Sequence, residues 1–115
     1  MKEPVQIARK AVEVAGDKQA SDIILLDIVG LASFTDYFVI LTTTSVRHMH
    51  VLSEDVLHEL RNFGASFHHK EGTADSGWVL LDFGDVIIHM FSSEAREYYQ
   101  LERNWERGVP LIRIQ

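Results

Sequence analysis

The chain of 115 residues contains no cysteine, which excludes disulfides, thiolate zinc sites and cysteine nucleophiles and leaves its compartment unmarked by redox chemistry. Proline is also scarce, at two residues, and the seven glycines are scattered, so no linker or low-complexity tract interrupts what its length suits to one domain. The first eighteen residues, MKEPVQIARKAVEVAGDK, lack an uncharged apolar run, so they read as neither a signal peptide nor a membrane span. A soluble, cytoplasmic chain is the expectation. Positive charge is in deficit as well: eleven Lys and Arg stand against seventeen Asp and Glu, for a net charge of −6. Such a balance repels phosphate backbones overall and favours a basic protein partner over sequence-specific nucleic acid, while leaving room for a local basic patch.

What is present is hydrophobic periodicity. Val5, Ala8, Ala11, Val12 and Ala15 recur at helical spacing behind Pro4, which predicts a helix over 4–15 closed by Gly16. Two β-branched runs, around 22–29 and 36–43, read as strands. Ser45 can cap a long helix whose Met49, Leu52, Val56, Leu60 and Phe63 form one stripe ending at Gly64. ASFHHKE is a weaker strand candidate, GTADSG a loop, and WVLLDFGDVIIHMF two strands about a tight turn at Phe83, Gly84 and Asp85. A last helix, EAREYYQLERNWER, is capped by Ser92 or Ser93 and places Tyr98, Leu101 and Trp105 on its apolar face. The tail GVPLIRIQ carries no clear pattern. The order α-β-β-α-β-β-β-α implies an α/β (α+β) fold with a mixed five-stranded sheet flanked by helices.

The hairpin concentrates the candidate chemistry. With an even turn, Trp78, Leu80 and Asp82 share a face with Ile87 and His89, and the opposite face, Val79, Leu81, Val86, Ile88 and Met90, is wholly apolar core. The mixed face has the composition of a partly exposed binding surface. Asp82 and Asp85 flank the turn, where backbone capping explains them better than paired acid–base catalysis. His89 reads as a half-buried histidine bonded to a neighbour rather than a general base, since no partner nucleophile stands in the run. The DFG string belongs to no kinase, for the chain has no Gly-rich loop or HRD-type catalytic loop. His48 and His50 point apart on a helix and His68 and His69 apart on a strand, so no metal site is expected. LTTTS, at 41–45, could present N–H groups to a phosphate, but it lacks close-approach glycines and capping explains its hydroxyls.

SFTDYFVILTTTSVRH, the loop from Glu71 to Trp78, WVLLDFGDVIIHMF and EAREYYQLERNW, in this order, resemble the ribosomal silencing factor (Iojap-like) family over about residues 4–107. The most specific part is the set Glu71, Trp78, Asp82, Gly84-Asp85-Val86, His89, Arg96, Tyr99, Leu101-Glu102 and Trp105. The resemblance implies a domain over 1–107 with a tail over 108–115 and a nucleotidyltransferase-like fold without catalytic machinery. It further implies no enzyme activity and no cofactor. In the implied mechanism, docking on a large-subunit ribosomal protein, number fourteen, at the intersubunit face blocks joining of the small subunit and represses translation under nutrient limitation. The mixed face and the resemblance together nominate Glu71, Trp78, Leu80, Asp82, Asp85, His89 and Tyr99 as partner-binding, with Trp78 as anchor. One departure stands out: Thr42-Thr43-Thr44-Ser45 replaces the family's common Thr-Gly-Thr-Ser, which weakens any nucleotide loop. A small or degenerate nucleotidyltransferase is the alternative, but it lacks a carboxylate pair after that junction to hold magnesium. A homodimer using the same apolar patch is a further possibility.

Overall fold

Hydrophobic periodicity and capping build the elements of the computed structural model, which describes residues 2–115. Helix α1 spans Pro4–Asp17, with Pro4 at its first turn and Ala8, Ala11, Val12, Val14 and Ala15 buried. Helix α2, Val46–Phe63, starts where the Ser45 hydroxyl accepts the His48 N–H at 2.9 Å and ends where Gly64 takes φ 111°. Strands β1 (Ser21–Asp27), β2 (Tyr37–Thr43), β3 (His69–Glu71), β4 (Trp78–Asp82), β5 (Val86–Ser92) and β6 (Val109–Ile114) form one sheet in the order β3-β4-β5-β2-β1-β6. Only β2 and β5 run parallel; the other neighbours are antiparallel.

The sheet has six strands rather than the expected five, because the tail is β6, paired along β1 from Asp27↔Val109 to Ile23↔Ile114. Its pattern is weak for a physical reason. An edge strand buries little, tolerates Pro110 and carries a register shift, so alternation is not enforced on its residues. The last helix is also shorter than expected. Helix α3, Ser93–Tyr99, stops there because Gln100 adopts φ 45°, and a separate 3₁₀ segment carries Leu101–Trp105.

The two faces of the sheet differ in cover. One face holds Ile23, Leu25, Val39, Leu41, Val79, Leu81, Val86, Ile88 and Met90 under α1 and α2, and forms the main core. The opposite face carries Ile24, Leu26, Phe38, Ile40, Ile87 and Phe91. There the cover is slight: Ala95 of α3, Leu101 and Trp105 of the 3₁₀ segment, and Leu31 and Ala32 of the β1–β2 loop. A sheet face roofed by one short helix and a loop leaves its β3–β4 flank open, and the hairpin lies there.

Candidate functional site

The register of β4 and β5 sets the site. Trp78 pairs with Phe91, Leu80 with His89 and Asp82 with Ile87, so the mixed face of the hairpin is the sparsely covered face and the apolar set is buried opposite. Parity holds because Phe83 N–H bonds to the Val86 carbonyl at 2.9 Å, closing an even turn on Gly84 and Asp85. Asp82 serves this turn: one carboxylate oxygen accepts the Gly84 N–H at 2.7 Å.

Trp78 lies half-buried between core and solvent. Its ring centroid stands 4.8 Å from Phe91 beneath and 4.7 Å from Tyr99 of α3, and its indole N–H donates to Nδ1 of His89 at 3.2 Å. His89 is buried, at 4% exposure, rather than half-buried, with the Phe38 ring edge-on at 4.6 Å. Burial pushes its pKa down to about 3, so the ring is neutral at pH 7. Since Nδ1 accepts from the indole, the proton sits on Nε2, which has no partner among the described residues. His89 therefore fixes the orientation of Trp78 from below.

Around the indole, Glu71, Gly72, Ser76, Leu80 and Tyr99 complete a shallow cavity of about 310 Å³. The backbone must crowd to form it. A Cβ on Gly72, at φ 83°, would lie 2.1 Å from the Trp78 carbonyl oxygen, so only glycine lets β3 pass this close to β4. Beside the cavity His69 links two carboxylates, reaching Glu71 through Nε2 at 3.0 Å and Asp82 through Nδ1 at 3.4 Å. On the α3 side, Arg96 bonds both carboxylate oxygens of Glu102 through Nε at 3.2 Å and donates to the Thr42 hydroxyl at 2.9 Å, tying the short helix to the sheet.

Of the seven nominated residues, the structure brings Glu71, Trp78, Leu80, Asp82, His89 and Tyr99 together. Asp85 stands apart. It is exposed on the far side of the turn, in a cavity shared with Lys2, Pro4, Ile7 and His68, because Gly84 reverses the chain between it and Asp82. The tyrosines also exchange roles relative to the helical expectation. Tyr99, 49% exposed, packs against Trp78 with its ring tilted, whereas Tyr98 is 81% exposed, because the helix ends there and Leu101 and Trp105 reach the sheet by a different path. Two features escaped the sequence pattern: the ring contacts of Phe34, Phe38 and Phe91, and the Arg96–Glu102–Thr42 tie, whose first two members carried a family signal without a role. LTTTS acts as a cap, and His48 nearby bridges the Thr44 N–H and the Lys18 carbonyl.

The architecture and this hairpin are shared with known proteins. The family model for the ribosomal silencing factor during starvation matches residues 1–115. The chain belongs to the ribosomal silencing factor family. Ribosomal silencing factor RsfS of Bacillus subtilis is 33% identical over 99 residues, covering 86% of this chain and 84% of that protein. A mouse protein named for mitochondrial assembly of the ribosomal large subunit is 31% identical over 97 residues, 82% of this chain and 42% of its own length. The crystal structure of a Chromobacterium violaceum protein superposes with a TM-score of 0.87 at 32% identity, covering 91% of this chain and 88% of the other. Membership in a ribosomal silencing factor family makes the association with the ribosome the frame for the site. No helix among the described residues is long and apolar enough to cross a membrane.

Proposed function

We propose that this silencing factor acts in the cytoplasm by docking on the large ribosomal subunit, through ribosomal protein number fourteen at the intersubunit face. A body of 13.1 kDa held there excludes the small subunit sterically and represses translation when nutrients are limited. The observation that carries the reading is the open cavity between Trp78, Leu80 and Tyr99 on the sparsely covered face of the sheet. Half-exposed aromatic anchors backed by a rigid core are the features that concentrate binding energy in a protein interface, and no catalytic group is needed. Glu71 and Asp82 beside the cavity add attraction for a basic partner. Asp85, remote from the cavity, takes no part in this contact.

Sucrose-gradient profiles of purified subunits test the proposal. Wild-type protein is expected to migrate with the large subunit and lower the yield of joined ribosomes, and Trp78→Ala to leave joining intact. Migration with the small subunit alone, or unimpaired joining at saturating protein, would overturn it.

A further inference from the structure

A second feature of the same sheet face lies away from the cavity. Residues 69–102 hold seven carboxylates against two cations, whereas residues 103–115 hold three arginines against one glutamate, so the acidic chain has a basic end. Arg103 and Arg107 are exposed and line one cavity of about 410 Å³ with Leu31, Asn104, Trp105 and Glu106. Arg113 pairs in register with Ile24, a residue of the sparsely covered face, and so stands on that face farther along β6, outside this cavity. Among the described residues none of these three arginines makes an ion pair, in contrast to Arg96. Their guanidinium groups face solvent rather than a carboxylate of the fold.

Aromatic rings connect this end to the docking cavity. The Trp105 ring lies 5.3 Å from Phe38 and 6.2 Å from Phe34, Phe38 lies 4.6 Å from His89, and His89 bonds to Trp78. Phe34 itself is 59% exposed, edge-on to the Trp105 ring that lines the arginine cavity. A protein seated through Trp78 on a ribosomal subunit thus carries its unpaired arginines on the same side as its anchor. Planar guanidinium forks match phosphate oxygens, and an exposed aromatic ring beside them offers a stacking surface.

We propose that Arg103, Arg107 and Arg113 hold a ribose–phosphate backbone of the large subunit's RNA, with Phe34 stacking on one of its bases, while the Trp78 cavity holds the protein contact. The inference rests on the docking reading above and adds a second, RNA-directed half to it. This half is independent of base sequence, since arginines at an exposed edge meet backbone oxygens and not base edges in a groove. It also accounts for an otherwise unfavourable charge. The net charge of −6 repels RNA overall, and three arginines without an ion pair at one end of the chain relieve that repulsion locally.

Hydroxyl-radical footprinting of the RNA in purified large subunits, with and without bound protein, tests this directly. Wild-type protein is expected to shield a short run of riboses. The Arg103→Gln/Arg107→Gln double variant is expected to migrate with the large subunit still, to leave those riboses open to cleavage, and to lower the slope of log Kd against log salt by about 2, near 0.9 for each phosphate left unneutralised. Arg107→Gln alone should give about half the change. Both side chains are exposed, so the thermal midpoint should stay at the wild-type value. Binding without ribose shielding overturns the RNA contact alone, as does shielding that survives the double variant. A fall in salt slope with no shielded ribose assigns the arginines to an acidic protein surface and also overturns it. Failure of the wild type to migrate with the large subunit removes the docking reading itself.

Discussion

His89 makes a quantitative prediction about acid. Its ring is enclosed by Phe38, Trp78 and Phe91, its bonded partner is an indole N–H, and no carboxylate faces it in a hydrogen bond among the described residues. Burial lowers its pKa from 6.5 to about 3. The sign follows from proton counting. Between those two values the unfolded chain binds a proton that the folded chain refuses, so stability is intact above pH 6.5 and is lost as pH falls toward 3. The loss is about 2 kcal/mol between pH 7 and pH 5 and about 4 kcal/mol by pH 3, a large share of the ~5–15 kcal/mol typical of a domain. Urea unfolding is the assay: at a slope of about 1.5 kcal/mol/M the midpoint should fall by roughly 1.3 M from pH 7 to pH 5 through this residue alone. His89→Gln keeps an acceptor for the indole but cannot take up a proton, and the other five histidines remain in both proteins, so the difference between wild type and variant isolates His89. Equal midpoint shifts in the two proteins would refute the reasoning. Protonation also converts Nδ1 from acceptor to donor, so subunit affinity should weaken in acid before the fold is lost.

Three further outcomes are expected. Trp78→Ala should cost about 2 kcal/mol or more in subunit affinity, read by co-sedimentation, with a smaller fall in thermal midpoint than a fully buried tryptophan would show, because its side chain is only partly buried. Gly72→Ala should destabilise by about 3 kcal/mol or force β3 away from β4, visible as faster amide exchange at His69–Glu71, because its Cβ has no space beside the Trp78 carbonyl. Arg96→Met should cost about 1–3 kcal/mol in urea unfolding by leaving Glu102 and Thr42 without their donor, and it should lower affinity further by loosening Tyr99 over the cavity.

The one-dimensional pattern of the chain was enough for the helices α1 and α2, strands β1, β2, β4 and β5, the Ser45 cap and the sidedness of the hairpin. Each of these is enforced locally: a buried stripe needs apolar residues at period 3.6 or 2, and a helix end needs its hydroxyl or glycine wherever the rest of the protein lies. Trp78 on the mixed face was legible for the same reason, since pairing parity depends only on turn length. What sits around it was not. That His89 is buried and bonds the indole, that Tyr99 rather than Tyr98 roofs the cavity, and that Asp85 is excluded all depend on where Gly84 and Gln100 turn the chain in space. Strand β6 was invisible because an exposed edge constrains its residues weakly. Only its pairing with β1 decides that the tail adds a sixth strand and sets Arg113 on the same face as Arg103 and Arg107. Local chemistry determines elements and caps; the neighbours that give each side chain its burial, its proton and its partner come from residues far away in the chain, and so they are decided by the tertiary fold alone.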